Sequence, residues 1–521
     1  MHKQTLFTRR TAILGAAAAG LSVGQVSAAS VDAFWWRLWL VLQPQPPSVV
    51  RRLSAASLPA DDPVLQSYRT AIAAMQALPP SDPRNWRNIA QLHFDHCAHR
   101  NWYTWPWHRA YLLSFERICQ QLSGDSQFRV PYWDWTSNRQ VPATFMQSTF
   151  NGLPNRLFDS TRVVSQNDSL PDSVVGPTTI NTILGEPNFE AFMSFRPPGQ
   201  TNTDPSWQAI HTTMAPLEHN PHNYVHNWIG GMGATPGHMA TLMSPMDPIF
   251  WLHHANIDRI WDFWNRLGNT NTSDPLWRNF RFSGQFKNPD GTLYEPLVSE
   301  LLDILALGYT YNLGDIVVGP NLDLFRFVSQ FDFNQLTRTS SGVGHGIATR
   351  DNPLAVALRT TLPLPQLLEQ VLRRASAETA ENVPVAGRAL VFVEAEPPAS
   401  MTSPEVRVFL NCEYLTPETP PFDPHYVGSF TFFPSGGAHR EHGDDEHRER
   451  GEDEHRRHGG TASRLILDLT LTLITLRDAG RLPTDQLVLQ LQPVAISTME
   501  EPGPVRVASV ELAVTQVGAP G

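Results

Sequence analysis

The run Met246-Asp-Pro-Ile-Phe-Trp-Leu-His-His-Ala-Asn-Ile-Asp-Arg259 decides how this chain is read. It begins a helical pattern that continues to Leu267, with the adjacent pair His253-His254 inside it. Upstream, His222-Asn223-Tyr-Val-His226 puts two imidazoles four residues apart, on one face of a helix. A matching constellation lies earlier: His93-Phe-Asp-His96-Cys97-Ala-His99, then His108 within Trp105-Pro-Trp-His-Arg109. Two sets of three imidazole donors beside helical patterns point to two metals held face to face and to oxidase chemistry. Di-iron bundles use Glu-x-x-His pairs, which are missing at both sets. All-imidazole donation suits copper, and also zinc, nickel or haem iron. A zinc catalytic site usually takes one ion and three ligands, whereas this chain offers two triplets. Spacing alone leaves His96 a rival to His93.

The chain has 521 residues, 41% hydrophobic and 10% aromatic, enough for two or three domains and a large core. A net charge of −11 argues against a nucleic-acid footprint. No apolar run approaches the roughly 20 residues of a membrane span. The three cysteines, Cys97, Cys119 and Cys412, spell out no disulfide framework. Residues 1–28 read as an export signal: Arg9-Arg10, an apolar stretch from Ala12 to Leu21, and Val26-Ser27-Ala28 as a cleavage site. The paired arginines point to the twin-arginine route and a periplasmic or secreted protein.

Residues 30–335 read as a mainly α domain, a four-helix bundle with long loops. Asp61–Met75 carries an apolar stripe at helical spacing, as does Tyr111–Leu122. Residues 140–210 read as a long irregular connection. Residues 336–385 read as a linker containing a short helical piece over about 353–376. Residues 386–521 alternate apolar and polar with period 2, the pattern of an antiparallel β-sandwich. Leu465, Leu467, Leu469, Leu471 and Leu473 are expected on one face of one strand. Within this domain, 438–460 is dense in His, Asp, Glu and Arg and reads as a solvated loop with metal-scavenging capacity.

Trp107-His-Arg-Ala-Tyr-Leu112 and Asp247–Arg259 resemble the two copper-binding regions of the type 3 copper proteins: tyrosinases, catechol oxidases and molluscan haemocyanins. The resemblance runs from about Arg51 to Tyr309-Thr-Tyr311. A weaker likeness to plant polyphenol oxidases continues through Val427-Gly-Ser-Phe-Thr-Phe. It implies two copper ions, one held by His93, His99 and His108, the other by His222, His226 and His254. It marks Cys97 as a candidate for a thioether to His99, Phe250 as the phenylalanine near the copper pair, and Thr241–Met243 as the gate, with Thr241 and Met243 as pocket candidates. Glu218 and Asn223 are expected to order a water that takes the phenol proton, and Asn227 to contact substrate. Asn256 and Asp258 are expected to fix ligand tautomers from behind.

The implied activity is copper-dependent oxidation of phenols by dioxygen, with o-hydroxylation of monophenols and conversion of o-diphenols to o-quinones. The C-terminal domain is expected to plug the pocket and keep the enzyme latent, with Tyr414 or Leu415 as placeholder. Alternatives are an o-aminophenol oxidase, a catechol oxidase only, or a haemocyanin-like oxygen carrier. Homo-oligomerisation stays open.

Overall fold

Helix α1, Pro63–Ala77, starts where the Asp62 side chain accepts a hydrogen bond from the Val64 N–H and Pro63 presets the first turn. Its stripe of Leu65, Tyr68, Ala71, Ile72 and Met75 is fully buried. Helix α2, Trp86–His96, is capped in the same way by Asn85. Helix α3, Thr104–Ser123, begins earlier than its apolar stripe predicts and ends at Gly124, whose φ of 76° gives the left-handed cap. Helices α4, Asn223–Gly230, and α5, Ile249–Arg266, complete the set. The computed structural model describes residues 49–233, 235–312, 337–338, 346–360, 363–372, 387–398, 403–433, 462–482, 485–496 and 501–514. The expected export signal and the His- and acid-rich 438–460 lie outside the described residues.

Aromatic packing binds these helices. Trp251 of α5 stacks on Phe115 of α3 at 3.6 Å between ring centres. The stretch 140–210 contains short helices at Asp172–Val175, Pro177–Leu184 and Phe189–Met193, where an irregular connection was expected. Their apolar sides join the main core, so burial overrides the weak local signal. Among the described residues, no helix is long and apolar enough to cross a membrane.

A buried charge cluster closes the helical part. Strand β1, Val50–Arg52, runs parallel to a later strand, Tyr309–Tyr311, with Arg52 opposite Tyr311. Asp258 of α5 sits between them. It accepts from Arg109 Nε at 2.5 Å, Arg52 Nη1 at 3.0 Å, Tyr309 Oη at 2.8 Å and Tyr311 Oη at 2.6 Å. Burial opposes ionisation of this carboxyl, but the Arg109 and Arg52 guanidiniums hold its pKa below the usual range. Arg52 also pairs with Glu116 at 2.8 Å. Asp258 therefore locks the first and last strands of this part onto α3 and α5, and bonds no histidine; its expected role behind the ligands is replaced by this one.

The C-terminal part holds two sheets. The chain contributes β2, Thr213–Met214, from the helical part, and Tyr309–Tyr311 is β3. Then come β4, Thr337–Arg338; β5, Gly346–Ala348; β6, Leu354–Leu358; β7, Ala389–Glu396; β8, Glu405–Leu410; and β9, Tyr426–Phe430. The last are β10, Ser463–Asp468; β11, Leu487–Val494; and β12, Val505–Val514. One sheet has the order β6-β11-β8-β9, the other β2-β10-β7-β12-β4, with β5 also on β12. Apolar residues of both sheets form one core cluster. β2 pairs parallel to β10, Thr213 opposite Arg464, so a strand of the helical part extends this sheet.

Three expectations need correction. Residues 346–358 are not linker; β5 and β6 belong to the sheets, because Val356 and Leu358 bury against β11. The helical piece is shorter, Leu364–Leu372. The leucine alternation ends at Asp468, whose side chain accepts from Thr470 N at 2.8 Å and starts a helix over Thr470–Asp478. Leu473 and Leu476 then bury at helical spacing.

Removing Asp258 leaves two buried guanidiniums short of their shared partner. Asp258→Ala is expected to cost about 3–5 kcal/mol, read as a lower urea midpoint of the helical part. A loss below about 1 kcal/mol would mean that these charges find other partners.

Candidate metal centre

Helix geometry delivers the histidines. His93 lies in the last turn of α2, His108 in the first turns of α3, His226 inside α4 and both His253 and His254 inside α5. His222 sits at the start of α4, and its ring lies 4.7 Å from that of His226. His99 arrives from the segment between α2 and α3. Two groups result, His93/His99/His108 and His222/His226/His253/His254, each with donor atoms within 4.8 Å of one another. They face each other: the His108 and His254 rings stack at 4.1 Å, and His99 lies 5.4 Å from His222. His96 is exposed at the end of α2, outside both groups, so the structure favours His93.

The nitrogens show which atoms point inward. Nδ1 of His93, His108 and His226 is tied at 2.7 Å to the carbonyls of Leu242, Thr104 and Met239 respectively. Nδ1 of His222 meets Asn223 Oδ1 at 2.9 Å. Tautomers are thus set by backbone and by Asn223, not by Asn256, whose Oδ1 accepts from Arg259. Nε2 of His93, His99, His108, His222 and His253 is buried with no hydrogen-bond partner. Buried polar atoms left in this state are rare and costly. A bound cation is the partner this donor set fits. His226 Nε2 and His254 Nε2 are 3.3 Å apart, the spacing of two nitrogens each about 2 Å from one ion. His253, which the resemblance makes a neighbour of the ligand His254, joins the second group and receives Trp135 Nε1–H on its Nδ1.

Burial sets the protonation. It depresses the His93 pKa to about 3 and the His222 pKa to about 4, so both rings are neutral donors. Phe250 lies between the groups, 4.2 Å from His254 and 5.2 Å from His93, ring to ring.

A cavity of about 170 Å³ opens beside the two groups, lined by Cys97, His99, Arg100, Met214, Glu218, Asn223, Leu242 and Phe433 among others. Glu218 is buried; its carboxylate accepts from Arg100 N at 2.5 Å and Ser194 Oγ at 2.6 Å. Burial raises its pKa to about 7 against those bonds. Cys97 lines the same cavity as His99 and is a free, half-buried thiol whose pKa burial pushes up. Leu242 lines the cavity, whereas Thr241 and Met243 do not. Thr241 instead closes its own turn, its Oγ1 bonding His238 O and receiving Met243 N–H.

The pocket's C-terminal wall differs from expectation. Tyr414 is 53% exposed and bonds Asp423, and Leu415 lies beside it outside the cavity lining. The side chain in the pocket is Phe433, whose ring lies 4.8 Å from His226, 5.3 Å from His99 and 5.9 Å from His222. Its one sequence signal is its position: an aromatic just past the strand pattern that ends at Phe432, on the face opposite Phe430 and Phe432. Asn227, expected to meet substrate, here donates to Phe432 O at 2.7 Å.

Facing groups of three and four neutral imidazoles beside one cavity fit a dinuclear metal site of the type 3 kind. Residues 71–267 match the family described as the common central domain of tyrosinase. Aureusidin synthase of Antirrhinum majus is 28% identical over 313 residues, 51% of this chain and 52% of that protein. Tyrosinase HcTyr1 of Hahella sp. (strain CCB-MM4) is 27% identical over 346 residues, 56% of this chain and 69% of its own. The chain spans about half the length of the curated plant relatives it matches. Latent apple tyrosinase has the same fold, with a TM-score of 0.63 at 20% identity, covering 91% of this chain and 98% of that one. Residues 71–267 thus carry the tyrosinase central domain, relatives include polyphenol oxidases and tyrosinases, and the cofactor of the tyrosinase family is a pair of copper ions.

The turn that supplies the Met239 and Leu242 carbonyls is anchored by His238, whose Nδ1 meets Asp159 Oδ2 at 2.6 Å. That bond raises the His238 pKa and lowers that of Asp159. A raised histidine stabilises the fold fully below its unfolded value near 6.5, and loses this as pH climbs through the folded value. His238→Asn should therefore lower the melting temperature more at pH 6 than at pH 9. An equal loss at both would show that the pair is not an ion pair.

Proposed function

We propose that this chain is a copper-dependent phenol oxidase that oxidises o-diphenols to o-quinones and o-hydroxylates monophenols, and that its C-terminal part keeps it latent. The observation that carries the reading is the pair of facing imidazole groups, with Nε2 of His93, His99, His108 and His222 buried and unpartnered and Nε2 of His226 and His254 facing each other at 3.3 Å. In this reading His93, His99 and His108 hold one copper and His222, His226 and His254 the other. Bound copper supplies dioxygen binding and electron transfer. The four histidine-bearing helices act as a bundle that keeps the donors in place, and the two sheets act as a sandwich over the cavity.

The protein's own groups then handle the substrate. Phe250 and the cavity wall exclude water from the ring pocket. Glu218, beside the cavity and near neutrality, accepts the phenol proton through a water that Asn223 helps to orient. In the lidded state the Asn223 side chain is fully engaged: Oδ1 with His222, and Nδ2 with Thr431 O at 3.3 Å and Met214 Sδ at 3.9 Å. Latency therefore has two components, the Phe433 ring in the substrate position and the use of the Asn223 amide by the lid. Export by the twin-arginine route, as the first 28 residues imply, would carry the folded protein out of the cytoplasm.

Three measurements test this. Metal analysis of active material should give two coppers per chain, and His108→Ala or His226→Ala should cut catechol oxidation by at least about 100-fold; a single ion, or unaffected turnover, would end the reading. Phe433→Ala removes about 1.5–3 kcal/mol of plug burial, so catechol turnover by the uncut chain should rise about 10–100-fold; no rise means that Phe433 is not the plug. Glu218→Gln should reduce monophenol oxidation relative to catechol oxidation by about 100-fold or more. Equal loss on both substrates would remove Glu218 from the role of base.

A further inference from the structure

The lid does more than insert a ring. Residues 429–433 lie along α4 and the turn before it, and the helical part grips their main chain. Asn227 Nδ2 donates to Phe432 O at 2.7 Å, Asn223 Nδ2 to Thr431 O at 3.3 Å, and Arg100 Nη2 to Phe433 O at 3.5 Å. Thr431 N and Oγ1 both donate to His219 O, at 3.4 and 3.2 Å. Asn220 Nδ2 reaches Ser429 Oγ at 2.9 Å. Three consecutive carbonyls and one N–H are thus read by groups outside the lid.

The four main-chain contacts, unlike those of Thr431 Oγ1 and Ser429 Oγ, are indifferent to lid side chains, because main-chain groups are the same in any polypeptide. Asn223 and Asn227 are four apart on α4 and share a face, so both amides address one passing chain. Side chains alternate across the segment. Phe430 and Phe432 belong to the lid's own core, while Phe433 points at the histidines. Once the lid leaves, the Asn227 amide and the His219 carbonyl lose these partners, and Asn227 Oδ1 has none even now. Such groups favour an occupant that restores the bonds.

We propose that this groove is a peptide-binding site, and that the opened enzyme oxidises phenolic side chains carried within extended polypeptides in preference to free phenols. The inference rests on the phenol-oxidase reading and names its substrate class. The phenol replaces the Phe433 ring, its own carbonyl meets Arg100, the preceding carbonyl meets Asn227, and the residue two before it offers N–H to His219 O. That residue is small or β-branched, as Thr431 is. For a catechol side chain the chemistry balances simply. Two catechols each release two electrons and two protons, giving two o-quinones, and one dioxygen takes up the four electrons and four protons as two waters.

The test uses the full chain cut once at a protease site engineered within 313–336, with both fragments present. The substrates are acetyl-Ser-Phe-Thr-Phe-X-amide and acetyl-X-amide, where X is 3,4-dihydroxyphenylalanine, so monophenol hydroxylation is not required. The peptide is expected to have a kcat/KM at least about ten-fold higher, mainly through KM. Asn227→Ala should shrink that ratio about five- to ten-fold. A peptide no better than the single residue overturns the groove while leaving phenol oxidation standing. An Asn227→Ala variant that slows both substrates equally overturns it too, since a structural defect would do that. If neither substrate is oxidised, the phenol-oxidase reading falls and this inference with it.

Discussion

Five buried imidazole Nε2 atoms with no protein partner among the described residues are the constraint from which the rest of this fold is understood. A fold tolerates such atoms only if something else binds them. The surrounding structure spends its hydrogen bonds on the opposite ring nitrogens, through the Leu242, Thr104 and Met239 carbonyls and the Asn223 amide. Each of these aims one lone pair inward. Helix α3 supplies one such carbonyl along its own turn, while the 238–243 turn reaches across to α2 and α4. One short turn therefore couples a donor of each group.

The Asp258 cluster serves the same end from farther away. It fastens α3 and α5, which carry His108 and His254, to the two strands that open and close the helical part. Buried charges are poor stabilisers in themselves, but they fix register when every partner is present. Here four side chains meet one carboxylate, so α3 and α5 have little freedom to slide.

The join between the two parts is made largely of main chain. β2 extends a C-terminal sheet, Thr431 and Phe432 are gripped by α4 asparagines, and Arg388 pairs with Glu186 and Asp468, each at 2.7 Å. Such a join is specific yet made of individually modest bonds. It contrasts with the aromatic interlock inside the helical part, where Trp251 stacks on Phe115.

The amino-acid sequence by itself determined the two histidine sets, their spacing and the change from helical to alternating pattern, because these are local and periodic. It placed Phe250 and Glu218 near the site through motif likeness. Spacing alone left His96 a rival, the resemblance assigned His93, and the structure buries His93 while leaving His96 exposed at the end of α2. Only the tertiary structure decided that Phe433 rather than Tyr414 or Leu415 fills the pocket, that His253 joins the second group, and that Asp258 serves the frame. Those facts depend on contacts between residues hundreds of positions apart, such as Asn227 with Phe432. No local periodicity encodes which loop of one part meets which helix of the other.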